Sequence, residues 1–305
     1  MAQTAASLPR ATSPALRQGD LAFLLQVSRP GLCSTTAFFY LMPLGHSIIF
    51  TSVRFWVGLG YVLFPLGFLL YGVNDIADAE ADQLNPRKGT YLFGSLGRKE
   101  QLEKLRWQIA AVQIPFVVLF LMWIGPRVLL WFGVLLFAVA LYNAPRIGCK
   151  ARPPFDVLIQ ASYLLVFVLS TWTTGARQPP WQTFVFGALF AMHSHLFGEV
   201  MDIGPDRASG RMTTAVRIGA VPTKLVIAGL LGVEAALVAA YFRDPLITGF
   251  LLCGVLWFVA DAAWIWGNRA YRPKLMKAFM LAWNAAALLG IVWDYSRATF
   301  THVAR

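Results

Sequence analysis

Nine apolar runs recur along the 305 residues, separated by polar connections that are mostly short. They span Leu32–Thr51, Val57–Val73, Ile109–Ile124, Val128–Tyr142, Val157–Thr174, Trp181–Phe197, Leu225–Tyr241, Leu246–Trp266 and Leu275–Trp293. A chain written this way cannot fold around one water-shielded core. It folds as helices crossing a bilayer, because only helices satisfy their own backbone polar groups in hydrocarbon. Several runs fall short of the ~20 residues that a perpendicular span needs, so flanking residues must extend them or the bilayer must thin. Trp56, Trp107, Trp123, Trp181 and Trp293 lie near the predicted ends, where interfacial aromatics gather. Only 13% of residues are charged, against roughly 25% in soluble domains.

The basic residues orient the bundle. Of 26 Lys and Arg, 20 fall in the N-terminal tail and every second loop after it, and six in the alternate set. That alternation predicts a cytoplasmic N-terminus in a bacterial-type inner or plasma membrane. The net charge of +11 then meets anionic lipid, and no nucleic-acid partner is expected. Arg10 and Arg17 precede no apolar stretch with a cleavage site, so the start does not read as a signal peptide. Residues 1–20 read as a flexible tail and 21–305 as one transmembrane domain. Cys33, Cys149 and Cys253 are too scattered for a disulfide framework or a metal knuckle.

The connections after the second and sixth runs carry the chemistry, and both fall on the basic side. In the first, a continuing helix would stack Asn74, Asp78 and Asp82 on one face, with Asp75 at its edge. In the second, Asp202 and Asp206 are again four residues apart. Stacked carboxylates repel, so two such sets at a membrane edge need a counter-ion. Their hard oxygens suit Mg²⁺, which binds through a few carboxylates together with substrate phosphates. Asn74, Asp78, Asp82, Asp202 and Asp206 are the candidate metal ligands. Candidate phosphate cations are Arg87 and Lys88, then Arg146, Lys150 and Arg152, then Arg207 and Arg211.

The pattern Asn74-Asp75-x-x-Asp78-x-x-x-Asp82 resembles the first motif of the UbiA superfamily of intramembrane prenyltransferases, and Asp202-x-x-x-Asp206 resembles the second. Tyr142-x-x-x-Arg146 is similar to that family's YxxxK element, with Arg for Lys, which leaves the cationic role open between Arg146 and Lys150. The resemblance implies an all-α bundle of nine transmembrane helices with two Asp-rich cytoplasmic loops. It also implies catalysis by Asp75, Asp78, Asp202 and Asp206. Diphosphate binding would fall to Asn74, Arg87, Lys88, Tyr142, Arg146, Lys150 and Arg207. Asn85-Pro86-Arg87-Lys88-Gly89 and the run from Ala191 to Gly210 resemble the lycopene elongase branch, whose members add a C5 unit to an acyclic carotenoid.

The implied reaction is ionisation of an allylic prenyl diphosphate and transfer of the prenyl group to a hydrophobic acceptor such as a carotenoid. The allylic cation needs aromatic walls, for which Phe38, Phe39, Tyr40, Phe64, Tyr71, Tyr142, Tyr163 and Trp283 are available. His193 and His195 point about 200° apart and cannot share a metal, though either could accept a proton. An aromatic quinone precursor or another lipid is the rival acceptor. The CDP-alcohol phosphotransferases require a D-G-x-x-A-R element that this chain lacks. An ion-coupled transporter would place its acids near the bilayer midplane, with an internal repeat.

Overall fold

In the computed structural model, which describes residues 20–45, 50–145 and 147–304, the apolar runs are helices. The described chain holds α1 (Asp20–Val27), α2 (Cys33–Leu41), α3 (Val53–Leu63), α4 (Pro65–Ala77), α5 (Ala79–Asp82), α6 (Lys99–Ile124) and α7 (Arg127–Asn143). There follow α8 (Phe155–Leu158), α9 (Leu165–Thr174), α10 (Trp181–Ala208), α11 (Thr214–Ile218), α12 (Ala220–Leu237), α13 (Pro245–Ala260) and α14 (Pro273–Arg297). Joined across short irregular turns, they make seven helical segments long and apolar enough to cross a membrane among the described residues.

The two remaining predicted segments differ. α7 is an apolar helix of 17 residues, shorter than a full crossing. Leu32–Thr51 is not one helix: α2 stops at Leu41 and residues 42–45 form a turn around Pro43, which has no N–H to continue the ladder. Residues 46–49 lie outside the described residues, as does the predicted tail except Asp20, which opens α1.

Other helices run past the apolar bands. α6 begins ten residues before Ile109, and α10 continues eleven residues beyond Phe197. Asp202 and Asp206 therefore sit in the last turns of a helix and not in a loop. The polar end of α10 stays helical because its acids face cations across a cavity.

α10 is the central element. It packs on α12 and on the 3-10 turn Ile159–Leu164, while α4 packs on α6, α14 on α2 and α3 on α9. Lipid supplies no hydrophobic drive between helices, so association relies on close approach. A Cβ on Gly72 would lie 2.8 Å from Ile109, and one on Gly187 2.8 Å from Leu164 and Phe167, so α4–α6 and the α10 contact both need glycine.

A buried ion pair pins the far side of the bundle. Lys224 on α12 lies 3.0 Å from Asp261, donates to the Gly267 carbonyl at 2.9 Å and sits over the Tyr271 ring. Tyr271 donates its hydroxyl to Asp261. Removing one partner of such a pair leaves an uncompensated charge, at a cost of about 3–5 kcal/mol. Lys224→Met is expected to lower the unfolding midpoint in detergent, and adding Asp261→Asn to recover part of the loss. An unchanged midpoint in the single variant would show that the pair is not structural.

Candidate active site

The break between α4 and α5 barely disturbs the helix. Asp78 has φ −102° and ψ 4°, yet its N–H still donates to Asn74 O at 2.9 Å and Asp82 N–H to Asp78 O at 2.9 Å. Asn74, Asp78 and Asp82 accordingly keep one face and line a cavity of about 320 Å³. Asp75 turns away from it. Its carboxylate is 2% exposed and accepts from Ser95 Oγ at 2.6 Å, Lys88 Nζ at 3.0 Å and Arg29 at 3.2 Å. Asp75 lies off the cavity wall and holds two cations that lie on it.

α10 forms the opposite wall. Phe190, Ser194, Gly198, Asp202 and Asp206 all line the cavity, one every four residues. Asp202 is paired with Arg87 and accepts from Asn85 Nδ2 at 3.0 Å. Asp82 pairs with Lys88 at 2.7 Å. Asp78 accepts from Asn74 at 3.0 Å and is paired with both Lys150 and Arg211. Lys150 also donates to Asn74 Oδ1 at 2.6 Å. Arg211 reaches back to Asp206 at 3.8 Å, so one guanidinium spans the two acidic stripes.

The predicted cations separate accordingly. Arg87, Lys88 and Lys150 are on the wall, while Arg152 and Arg207 are exposed and off it. Arg146 lies outside the described residues. Of the candidates Arg207 and Arg211, Arg211 lines the cavity because α10 ends in a turn at Gly210, whose φ of +74° suits glycine, with Arg211 N–H donating to Asp206 O at 2.8 Å. Arg29 is a further wall cation that sequence reasoning missed, since it precedes the first apolar run. A folded loop carries the Asn85–Lys88 group: Gly31 N–H donates to Tyr91 O at 3.0 Å, and a Cβ on Gly94 (φ +100°) would lie 2.8 Å from Arg29 Nε.

These contacts shift the titrations. Burial pushes the Lys150 amine down to about 8, with Asp78 opposing. Burial raises the Asp82 carboxyl, with Lys88 opposing. Burial acts to lower Arg29, but Asp75, Tyr71 and Asp82 together outweigh it and the net direction is up. Among the described residues no three carboxylates or imidazoles converge on one point; Asp78, Asp82, Asp202 and Asp206 each face a Lys or Arg instead, and Glu199 faces His195. The wall charges balance: Asp78, Asp82, Glu199, Asp202 and Asp206 against Arg29, Arg87, Lys88, Lys150 and Arg211.

Aromatic side chains complete the cavity. Phe39, Tyr71, Tyr142, Tyr163 and Trp283 line it, as the sequence allowed, whereas Phe38, Tyr40 and Phe64 do not. Phe190 was missed. Its ring centroid is 5.5 Å from Phe39 and 5.3 Å from Trp283, and stepping back from Asp202 in fours would have found it. Tyr71 and Tyr163 meet at their hydroxyls, 3.2 Å apart. The two histidines diverge as their spacing requires: His193 Nδ1 pairs with the buried Glu234 at 2.8 Å, while His195 lines the cavity beside Glu199.

Comparison with known proteins accords with this architecture. The model of the UbiA prenyltransferase family matches residues 32–285. A Corynebacterium glutamicum protein named lycopene elongase/hydratase is 30% identical, over 80% of this chain and 84% of its own length. Two structures of a UbiA homolog from Archaeoglobus fulgidus share the fold. The one bound to GPP and Mg²⁺ has a TM-score of 0.65 at 18% identity, covering 91% of this chain and 99% of its own. The one bound to DMAPP and Mg²⁺ has a TM-score of 0.64 at 19% identity, covering 92% and 99%. The all-helical bundle and a family model that runs from α2 into α14 lead to one conclusion: this chain belongs to the UbiA prenyltransferase family.

Proposed function

We propose that this prenyltransferase ionises an allylic diphosphate with the help of Mg²⁺ and adds a C5 unit to lycopene or a related acyclic carotenoid. One observation carries the reading: two oxygen-bearing stripes, five cations and a set of aromatic side chains line a single cavity. Asn74, Asp78, Asp82, Asp202 and Asp206 would hold the metal. Their oxygens are the donor type that Mg²⁺ prefers, and the balanced wall fits the exchange that binding requires. Arg87, Lys88, Lys150 and Arg211 would bind the phosphate oxygens, which would leave the carboxylates they now face free to hold the metal. Bound there, Mg²⁺ supplies Lewis-acid stabilisation of the charge that grows on the leaving diphosphate.

The chain's own residues do the rest. Lys150 and Arg211 join the stripes and position the diphosphate between α4 and α10, with Tyr142 beside Lys150. Asp75 acts indirectly, by fixing Arg29 and Lys88. Tyr71, Tyr163, Phe190 and Trp283 present π-faces to the allylic cation and exclude bulk water.

The acceptor is read from two supports, the relatives named lycopene elongase/hydratase and the Asn85–Gly89 segment. Asn85 and Arg87 of that segment both engage Asp202. The same reading has nine crossings, a cytoplasmic N-terminus and a site open to the cytoplasm, supported by the distribution of basic residues.

Expressed in cells that accumulate lycopene, the protein should yield carotenoids heavier by one or two C5 units by mass spectrometry. Unchanged lycopene from well-expressed protein would remove the carotenoid and turn attention to quinone precursors. Asp78→Ala and Asp202→Ala should each lower turnover at least about a hundredfold with protein yield maintained. Near-normal turnover in both would refute the metal-site assignment. Arg211→Ala should raise KM for the diphosphate by about tenfold or more, while Arg207→Ala should change it little; the reverse order would contradict the geometry.

A further inference from the structure

A second cavity of about 140 Å³ adjoins the first, between α4, α7 and the 3-10 turn Ile159–Leu164. The Tyr71–Tyr163 pair and His195 belong to the walls of both. This compartment has an apolar lining of Leu66, Leu70, Leu135 and Val139 into which several polar groups project, among them Asn143, Gln160 and Ser162. Three buried polar atoms around the junction have no hydrogen-bond partner: Asn143 Oδ1, His195 Nε2 and Glu199 Oε1. Native proteins rarely leave such atoms unsatisfied, and a space of this size with Asn143, Gln160, Ser162 and His195 on its walls has room and partners for water. His195 Nε2 and Glu199 Oε1 lie 3.1 Å apart, without the direction of a hydrogen bond. Glu199 is itself held by Ala215 N–H at 3.0 Å, next to Thr214, which bonds Asp156 through both its N–H and its hydroxyl at 2.6 Å.

We propose that the second cavity stores the water that terminates the reaction, and that His195, positioned by Glu199, is the base that activates it. The inference rests on the prenyl-transfer reading above. Attack of the acceptor alkene on the allylic cation forms a C–C bond and leaves a tertiary cation. Water from the second cavity then adds its oxygen to that carbon. A C–O bond forms, one O–H bond of the water breaks, and the proton passes to His195 Nδ1, with no change of oxidation state beyond hydration. Nε2–H turns to Glu199, whose carboxylate stabilises the imidazolium. Quenching by water, in place of proton loss from carbon, makes the product a tertiary alcohol and not an additional alkene. His193 cannot serve, because it is buried against Glu234.

The test is turnover of lycopene and dimethylallyl diphosphate by the purified protein in H₂¹⁸O, with the ratio of ¹⁸O-hydroxylated to olefinic C5 products as the readout. The wild type should form mainly ¹⁸O-hydroxylated product. His195→Gln, Glu199→Gln and Ala138→Leu should each lower the ratio at least about tenfold; Ala138 lines only the second cavity, and leucine there would fill it. A merely structural defect would lower total turnover without moving the ratio. Should His195→Gln make no C5 product, the Ala138→Leu ratio decides. C5 products without ¹⁸O in the wild type, or an unchanged ratio in the variants, would overturn the inference and leave prenyl transfer standing. A wild type that makes no C5 product would overturn the carotenoid reading, and this inference with it.

Discussion

Charge balance at the edge of the bilayer is the constraint on which the site depends. Five carboxylates and five cations line one cavity, and four of the acids, Asp78, Asp82, Asp202 and Asp206, are paired with its Lys and Arg. Either set alone would be costly near hydrocarbon, and each is stable only because the other is there. In the function proposed above, the same balance suits the wall to an anion and a cation bound together. A diphosphate and a divalent cation can divide it between them, the anion taking the Lys and Arg and the metal the carboxylates.

The scaffold serves that balance. α4 and α10 bring the acids in as two stripes of four-residue period, and the irregular connections bring in the cations. Arg29 comes from the turn before α2, Lys88 from the loop after α5, Lys150 from the turn after α7 and Arg211 from the turn after α10. Asp75 illustrates how tightly these are coupled. It lies beyond the reach of a ligand in the cavity, yet it sets the position of two cations that are within reach.

The legible part of this structure is what one helix determines by itself. Asn74, Asp78 and Asp82 share a face because their spacing is helical, and Asp202 and Asp206 do so for the same reason. What depends on loops was legible only in part: Arg87, Lys88, Lys150 and Arg211 were among the candidate cations, but Arg29 was not. Between the candidates Arg207 and Arg211, a single positive-φ glycine at Gly210 decides which reaches the wall. Asp75 turns inward because a distant Ser95 and Arg29 meet it there. The first apolar run looked like one helix, but α2 stops at Leu41, just before Pro43. The acids of α10 were expected in a loop, because residues that face a charged cavity look in sequence like residues that face water.

The most direct test of the central claim is to titrate the purified protein with a non-ionisable dimethylallyl thiodiphosphate and with Mg²⁺, each in the presence and absence of the other. Because every wall cation is already matched by a carboxylate, binding of the two should be strongly and reciprocally coupled, each tightening the other by about tenfold or more. Analogue that binds equally well without the metal, or Mg²⁺ that binds equally well without the analogue, would contradict a site built on shared charge.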